Sequence, residues 1–286
     1  MKPVCVITGG GSGMGLATAK VLGREYQMVI CGRTLSKLDK ALAELTLAGI
    51  DAHALECDVS NQASVLHLAS VASQLGPIMI VINAAGISPQ MGEAHEILKI
   101  NALGAIHIHE AFLPHFIEGG CLIDIGSTGG YMVHSMILPT RAYRLSATDP
   151  ALFLKKVSAR TRWIPSRIRS GFAYCISKNF LMWYVRAEAE RFARKGVRVL
   201  SVSPGSFDTD MGTVAKVGAD QLVKFCAIRR YGRVEEIAQL LAFCTDQKLS
   251  YLTGVDILCD GGCLAGCLKN PLAFLRLQLG FLMAPS

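Results

Sequence analysis

The chain has 286 residues, 51% of them hydrophobic and 18% charged, which supplies one large core and excludes a disordered chain. Every long apolar run is cut by a charge, glycine or proline before the ~18 residues that a membrane-spanning helix needs. The formal charge of +7 points toward anionic partners, yet no interleaved aromatic and basic motif of a nucleic-acid reader occurs, and no nucleic-acid role is expected.

From the start, Met1-Lys2-Pro3 passes into the short apolar run Val4 to Ile7, too brief for a signal-peptide core, so a cytoplasmic setting is expected. Ten cysteines spread from Cys5 to Cys267 without a CxxC pair, and they read as reduced, buried thiols. Cys259, Cys263 and Cys267 recur at four-residue spacing and would share a helix face. No histidine follows His134, and no metal site is expected.

Seven apolar runs alternate with helical patterns: Val4 to Thr8, Met28 to Cys31, Ala52 to Cys57, Ile78 to Asn83, Cys121 to Ile125, Val197 to Val202 and Val255 to Cys259. Their nearly unbroken Val, Ile and Leu content is that of strands covered on both faces. The expected fold is α/β, a doubly wound parallel seven-stranded sheet of the Rossmann type, with a helical insert. The first run leads into Thr8-Gly9-Gly10-Gly11-Ser12-Gly13-Met14-Gly15 and then a helical pattern. Strand, glycine loop and helix in that order place free amides and a helix dipole against a pyrophosphate. A flexible turn is the plain alternative.

After the second run stands Gly32-Arg33-Thr34, 18 residues past Gly15. An acidic residue there would bind the ribose hydroxyls of NAD. The guanidinium of Arg33 favours the 2′-phosphate of NADP(H), with Lys37 as an auxiliary. More than 40 residues separate Ser127 from the helix expected to open at Tyr174, longer than most loops in a compact domain, so the insert 131–173 should be helical. Asp149-Pro150 reads as a helix cap followed by proline at the first helical position. In Tyr174-Cys175-Ile176-Ser177-Lys178 the tyrosine and lysine share a helix face, where an ammonium would lower the phenol and make it a usable acid or base. Tyrosine and lysine four apart are also common helix surface.

Together with Cys57-Asp58-Val59, Asn83-Ala84-Ala85-Gly86, Pro204-Gly205, Asp208-Thr209, Gly232-Arg233 and Asp260-Gly261-Gly262, these motifs stand in the order of the short-chain dehydrogenase/reductase family, which the chain resembles from residue 3 to about 266. The resemblance implies hydride transfer between a nicotinamide cofactor and a carbonyl or alcohol. It implies that Gly9, Gly13 and Gly15, with Thr8, Gly11, Ser12 and Met14, hold the pyrophosphate, and that Arg33 and Thr34 meet the adenosine ribose. Asp58 and Val59 would flank adenine, Asn83 to Gly86 would line the cofactor, and Pro204, Gly205, Phe207 and Thr209 would meet the nicotinamide. Ser127 would bind the substrate oxygen, Tyr174 would give the proton, and Lys178 would activate it and hold the ribose. Asn101 would carry a water-mediated proton relay. A homodimer or homotetramer is the family habit. The short segment from Gly86 to Asn101 and the 47-residue interval from Ser127 to Tyr174 depart from the common pattern and are similar to the 3α-hydroxysteroid dehydrogenase/carbonyl reductase branch. That implies an alicyclic or steroid-like ketone. A 3-oxoacyl thioester reductase and a catalytically silent NADP-binding regulator are the alternatives, the second disfavoured by the retained Tyr174 and Lys178. A serine hydrolase is excluded by the lack of a GxSxG elbow.

Two features stand outside the motifs. Residues 131–173 hold eight Arg and Lys against the single acid Asp149, a surplus equal to the whole chain's charge, in a segment expected to border the active site; it reads either as a solvated basic face on an exposed helical pair or as a funnel for an anionic ligand. The segment 267–286 is expected as an apolar extension, its Leu272, Phe274, Leu275, Leu277, Leu279, Phe281 and Leu282 packing on a neighbouring subunit or over the pocket.

Overall fold

The computed structural model describes residues 2–209 and 216–269. Strands β1 (Val4–Thr8), β2 (Gln27–Gly32), β3 (Ala52–Glu56), β4 (Ile78–Asn83), β5 (Phe116–Ile125), β6 (Arg198–Pro204) and β7 (Asp256–Cys259) form one sheet in the order β3-β2-β1-β4-β5-β6-β7, every pair parallel. All seven apolar runs are strands; β5 starts earlier than the run implies, at Phe116. Parallel strands joined by helical crossovers are buried on both faces. Hence Val4, Cys5, Val6 and Ile7 are all fully buried. The strand order turns between β1 and β4, which opens a crevice at the carboxyl ends of the strands.

Helices cover both faces. On one side α3 (Gln62–Leu75), α5 (Gly104–Phe112) and α8 (Ser166–Ala193) bury Leu68, Phe112 and Phe180. On the other α1 (Gly13–Leu22), α2 (Leu35–Leu47) and α10 (Val234–Thr245) bury Leu22, Leu45 and Leu241. Asn61 caps α3 by accepting from the amides of Ala63 and Ser64.

The insert holds a 3₁₀ turn (Thr128–Tyr131), α6 (Thr140–Tyr143) and α7 (Pro150–Thr161), the last capped as expected by Asp149, whose Oδ1 accepts from the Leu152 amide at 2.8 Å. The catalytic-motif helix α8 opens at Ser166, well before Tyr174. Tyr143, Phe153 and Val157 are buried in the main core: the Phe153 and Tyr143 rings lie 4.6 and 5.2 Å from that of Phe180. Helix α7 packs on α4 (Ala94–Leu98), where His95 Nδ1 and Ser158 Oγ are 3.1 Å apart. The insert is therefore a buttress on the sheet's helical layer.

Nine of the ten cysteines are buried and Cys259 is half-buried. Cys259 ends β7, whereas Cys263 and Cys267 lie on α11 (Cys263–Leu268) and pack against Cys226, which follows α9 (Lys216–Val223). The three do not share a helix face, because the Asp260-Gly261-Gly262 turn intervenes. The apolar run from Leu272 to Leu282 lies outside the described residues.

Candidate active site

The glycine loop closes because two of its residues have no side chain. Gly9 has φ +67°, and a Cβ on it would sit 2.9 Å from the Ala84 carbonyl oxygen; a Cβ on Gly15 would sit 2.5 Å from the Gly9 oxygen. The backbone thus folds tightly between β1 and β4 and presents the start of α1. Ser12 caps α1 in extended backbone and makes no side-chain cap bond. Gly9, Ser12, Gly13, Met14, Gly15, Ala84, Ala85 and Gly86 line one half of a cavity of about 450 Å³. Gly11 turns toward Lys37, which also lines it. A neighbouring cleft is lined by Thr8, Arg33, Asp58 and Val59, with Ile100 as its apolar wall. Arg33 is exposed there and Thr34 caps α2.

Thr8 and Asn83 act beneath this surface. Thr8 Oγ1 donates to Asn83 Oδ1 at 2.9 Å and accepts from the Ala85 amide at 2.9 Å, so it fixes the loop after β4.

At the other half, the end of β5 releases Ser127 as the cap of the 3₁₀ turn, its Oγ accepting from the Gly129 amide at 3.1 Å. Gly129 leaves room for the Tyr174 ring, since a Cβ would lie 3.1 Å from its Cε1. The Ser127 Oγ and the Tyr174 ring lie side by side against Gly129. Lys178 Nζ is 5.8 Å from the centre of the Tyr174 ring. Burial pushes the Tyr174 phenol up to about 12, against the downward pull of Ser127, and burial brings Lys178 down to about 8. Desolvation of the phenolate is the largest influence on Tyr174 in this environment.

Asn101 lies in a π-helical turn (Lys99–Leu103) between α4 and α5 and is buried. Its Oδ1 accepts from the Ile87 amide at 2.9 Å, and its Nδ2 donates to the Ile87 carbonyl at 3.0 Å and to Ser177 Oγ at 3.2 Å. It therefore anchors the wall after Gly86 to the residue before Lys178. Such π-turns are often found at functional sites.

Pro204, Gly205, Phe207 and Thr209 close the cavity from the β6 side. Ile87, Pro89, Met91, Met132 and Leu222 make its substrate half apolar, and among the described residues Lys37 and Lys178 are the only charged side chains on its wall. No residue from 133 to 173 lines it. None of the insert's basic side chains is on the cavity wall, and Phe153 and Val157 draw α7 onto α4 and the core. Sequence reasoning also missed the buried pair Asp124 and His109, 2.8 Å apart behind the site. An acid inside the apolar run Cys121 to Ile125 was the available signal.

A glycine-loop crevice at the strand ends, joined to a serine–tyrosine pair with a lysine behind, defines a dinucleotide-dependent oxidoreductase. The family model described as short chain dehydrogenase matches residues 3–139, and that described as Enoyl-(Acyl carrier protein) reductase matches residues 158–263. The chain belongs to the short-chain dehydrogenase/reductase family. It is 29% identical over 274 residues to carbonyl reductase family member 4 of Xenopus laevis, covering 92% of this chain and 98% of that one. It is 28% identical over 273 residues to the 3-oxoacyl-[acyl-carrier-protein] reductase of Homo sapiens, with coverage of 92% and 98%. In structure it is similar to a short-chain dehydrogenase/reductase of Serratia marcescens, with a TM-score of 0.73 at 25% identity, covering 91% and 97% of the two chains.

Proposed function

We propose that the chain is an NADP(H)-dependent reductase of a ketone on a neutral, alicyclic or steroid-like small molecule. The observation that carries this reading is the gathering of Ser127, Tyr174 and Lys178 where the glycine-loop half and the apolar half of one cavity meet. The residues present fit a dinucleotide: a Cβ at Gly9 or Gly15 would fill the cradle, and the start of α1 is free of a side-chain cap. When bound, the cofactor supplies the hydride. Ser127 and Tyr174 donate to the substrate oxygen and stabilise the charge developing on it. Tyr174, protonated at neutral pH, gives its proton to that oxygen. Lys178 balances the phenolate left behind, and Asn101 holds the wall that positions it. Arg33 offers paired donors to a 2′-phosphate, and the Gly32-Arg33-Thr34 turn itself carries no acid to accept from ribose hydroxyls.

Among the described residues, the apolar half carries no cation besides Lys178, which favours a neutral ketone. A 3-oxoacyl thioester is the second reading, supported by the name of the human relative. NADPH oxidation with steroid ketones, bicyclic ketones and acetoacetyl thioesters tests both, with NADH as the comparator. Turnover of the cyclic ketones above the thioesters is expected; the reverse order would replace the first reading with the second. A cytoplasmic homodimer or homotetramer, with residues 1–266 as one domain and 267–286 as an extension, completes the proposal.

A further inference from the structure

Asp124 and His109 are both fully buried, on β5 and α5, three residues before Ser127 and six residues after the π-helical segment. Asp124 Oδ1 accepts from Asn83 Nδ2 at 2.8 Å, and Oδ2 is hydrogen-bonded to His109 Nε2 at 2.8 Å. The His109 ring lies tilted 4.6 Å from Tyr184 and meets Phe192 edge-on at 5.2 Å, and its Nδ1 has no partner. With Nδ1 bare, the tautomer that fits is a neutral imidazole donating from Nε2. A carboxylate sealed in this way is costly, and an apolar pair of similar volume would pack as well. Its charge calls for a use.

The use stands one residue away. Lys178 Nζ donates to the carbonyl oxygen of Ile125, the residue after Asp124, at 2.7 Å. Asp124 is also the one charge that opposes the loss of the Lys178 proton to burial. The remaining titratable groups are Tyr174 and Cys175 beside the lysine, and Glu110, Tyr184, Glu188 and Arg191 beyond His109. Arg191 is occupied by Glu110 and Glu188 at 2.7 and 2.8 Å.

We propose that the Asp124–His109 pair is a positioning device for the reaction, a fixed buried negative charge that keeps the Lys178 ammonium charged while Tyr174 gives up its proton. The imidazole holds the carboxylate in place from one side and Asn83 from the other. Asn83 also links the pair, through Thr8, to the cofactor loop at Ala85. This inference rests on the roles of Tyr174 and Lys178 proposed above.

Asp124→Asn removes the charge and keeps the contacts: the amide oxygen still accepts from Asn83, and the amide nitrogen donates to Nε2 once the His109 proton moves to the free Nδ1. With decalone as the probe ketone, the alkaline limb of kcat/KM for NADPH-dependent reduction should move down by about one pH unit. At pH 6, where Lys178 remains charged, the KM for NADPH should change by less than about twofold. Asp124→Ser should move the limb in the same direction. His109→Gln, which retains a donor and the carboxylate, should leave it in place. A limb unmoved in active neutral variants, or moved equally in His109→Gln, would overturn the proposal. So would failure of both neutral variants to fold beside a folded His109→Gln, since the charge would then serve the fold. Turnover that survives Tyr174→Phe would instead remove the reading beneath it.

Discussion

Lys178 Nζ donates a 2.7 Å hydrogen bond to the carbonyl oxygen of Ile125, which ties the middle of α8 to the end of β5. The bond fixes the ammonium behind the Tyr174 ring and leaves the phenol hydroxyl to face Ser127 and the cavity. With the phenol at about 12 and the lysine at about 8, both carry their protons at neutral pH, Tyr174 as the neutral phenol and Lys178 as the ammonium.

Tyr174→Phe keeps the ring and loses the hydroxyl proposed to give the proton. Turnover should fall by about 10² to 10⁴, the usual contribution of general acid catalysis, while the NADPH dissociation constant changes by less than about threefold. Steady-state kinetics and NADPH fluorescence titration read the two quantities separately. Near-normal turnover in this variant would falsify the assignment.

Lys178 loses stability for the fold in order to serve the site. Its folded value of about 8 lies below the 10.5 of a free lysine, so the destabilisation is complete below pH 8 and fades as pH rises toward 10.5. At pH 7 it amounts to about 3 kcal/mol. Lys178→Met should accordingly be inactive yet more stable at pH 7, with the gain shrinking by pH 10. Denaturant unfolding at both pH values checks this, and an equal difference at the two would refute it.

Arg33→Asp withdraws the partner of a 2′-phosphate and supplies an acceptor for ribose hydroxyls. The ratio of kcat/KM for NADPH over NADH should drop by about a hundredfold, the worth of one charge-assisted pair. If the ratio stays constant, another residue selects the cofactor, and Lys37 on the cavity wall is the next to test.

Gly9→Ala places a Cβ 2.9 Å from the Ala84 oxygen at φ +67°. A cost of about 1–3 kcal/mol is expected, shared between folding and cofactor binding because the loop must open to admit the methyl group. Thermal unfolding with and without NADPH separates the shares. Unchanged melting and unchanged affinity together would mean that the loop is looser than its contacts indicate.

Reversal of Arg160, Arg162 and Arg167 to glutamate should leave KM for a neutral ketone within about twofold, since none of them lines the cavity. A large, salt-sensitive rise in KM would restore the insert to the active site.

The strands were legible because crossovers bury both faces of a parallel sheet, which forces runs such as Val4 to Ile7 to be apolar throughout. The glycine loop and the Ser127, Tyr174 and Lys178 set were legible by order, and the cavity brings them together. Other features depended on partners distant in sequence. Phe153 and Val157 announce a helix at four-residue spacing but do not say that Phe180 and α4 await it. The polar Ser166-Arg167 start of α8 hid its true length, and the π-turn at Asn101 leaves no mark in residue types. Asp124 was visible as an acid in an apolar strand, yet only the fold shows His109 opposite.

Nine buried thiols make the molecule its own reporter of opening. Burial pushes Cys5 and Cys121 far up from the ordinary thiol range and Cys175 up to about 12, so their reactive thiolates are scarce while the chain is folded. Cys57, lowered by hydrogen bonds from Cys31 and Ser64, departs from that rule at the edge of the cleft that Arg33 and Asp58 line. Alkylation mapped by mass spectrometry therefore becomes a spatial clock: Cys57 times local breathing of the cofactor cleft, and Cys5 with Cys121 times the disassembly of the sheet.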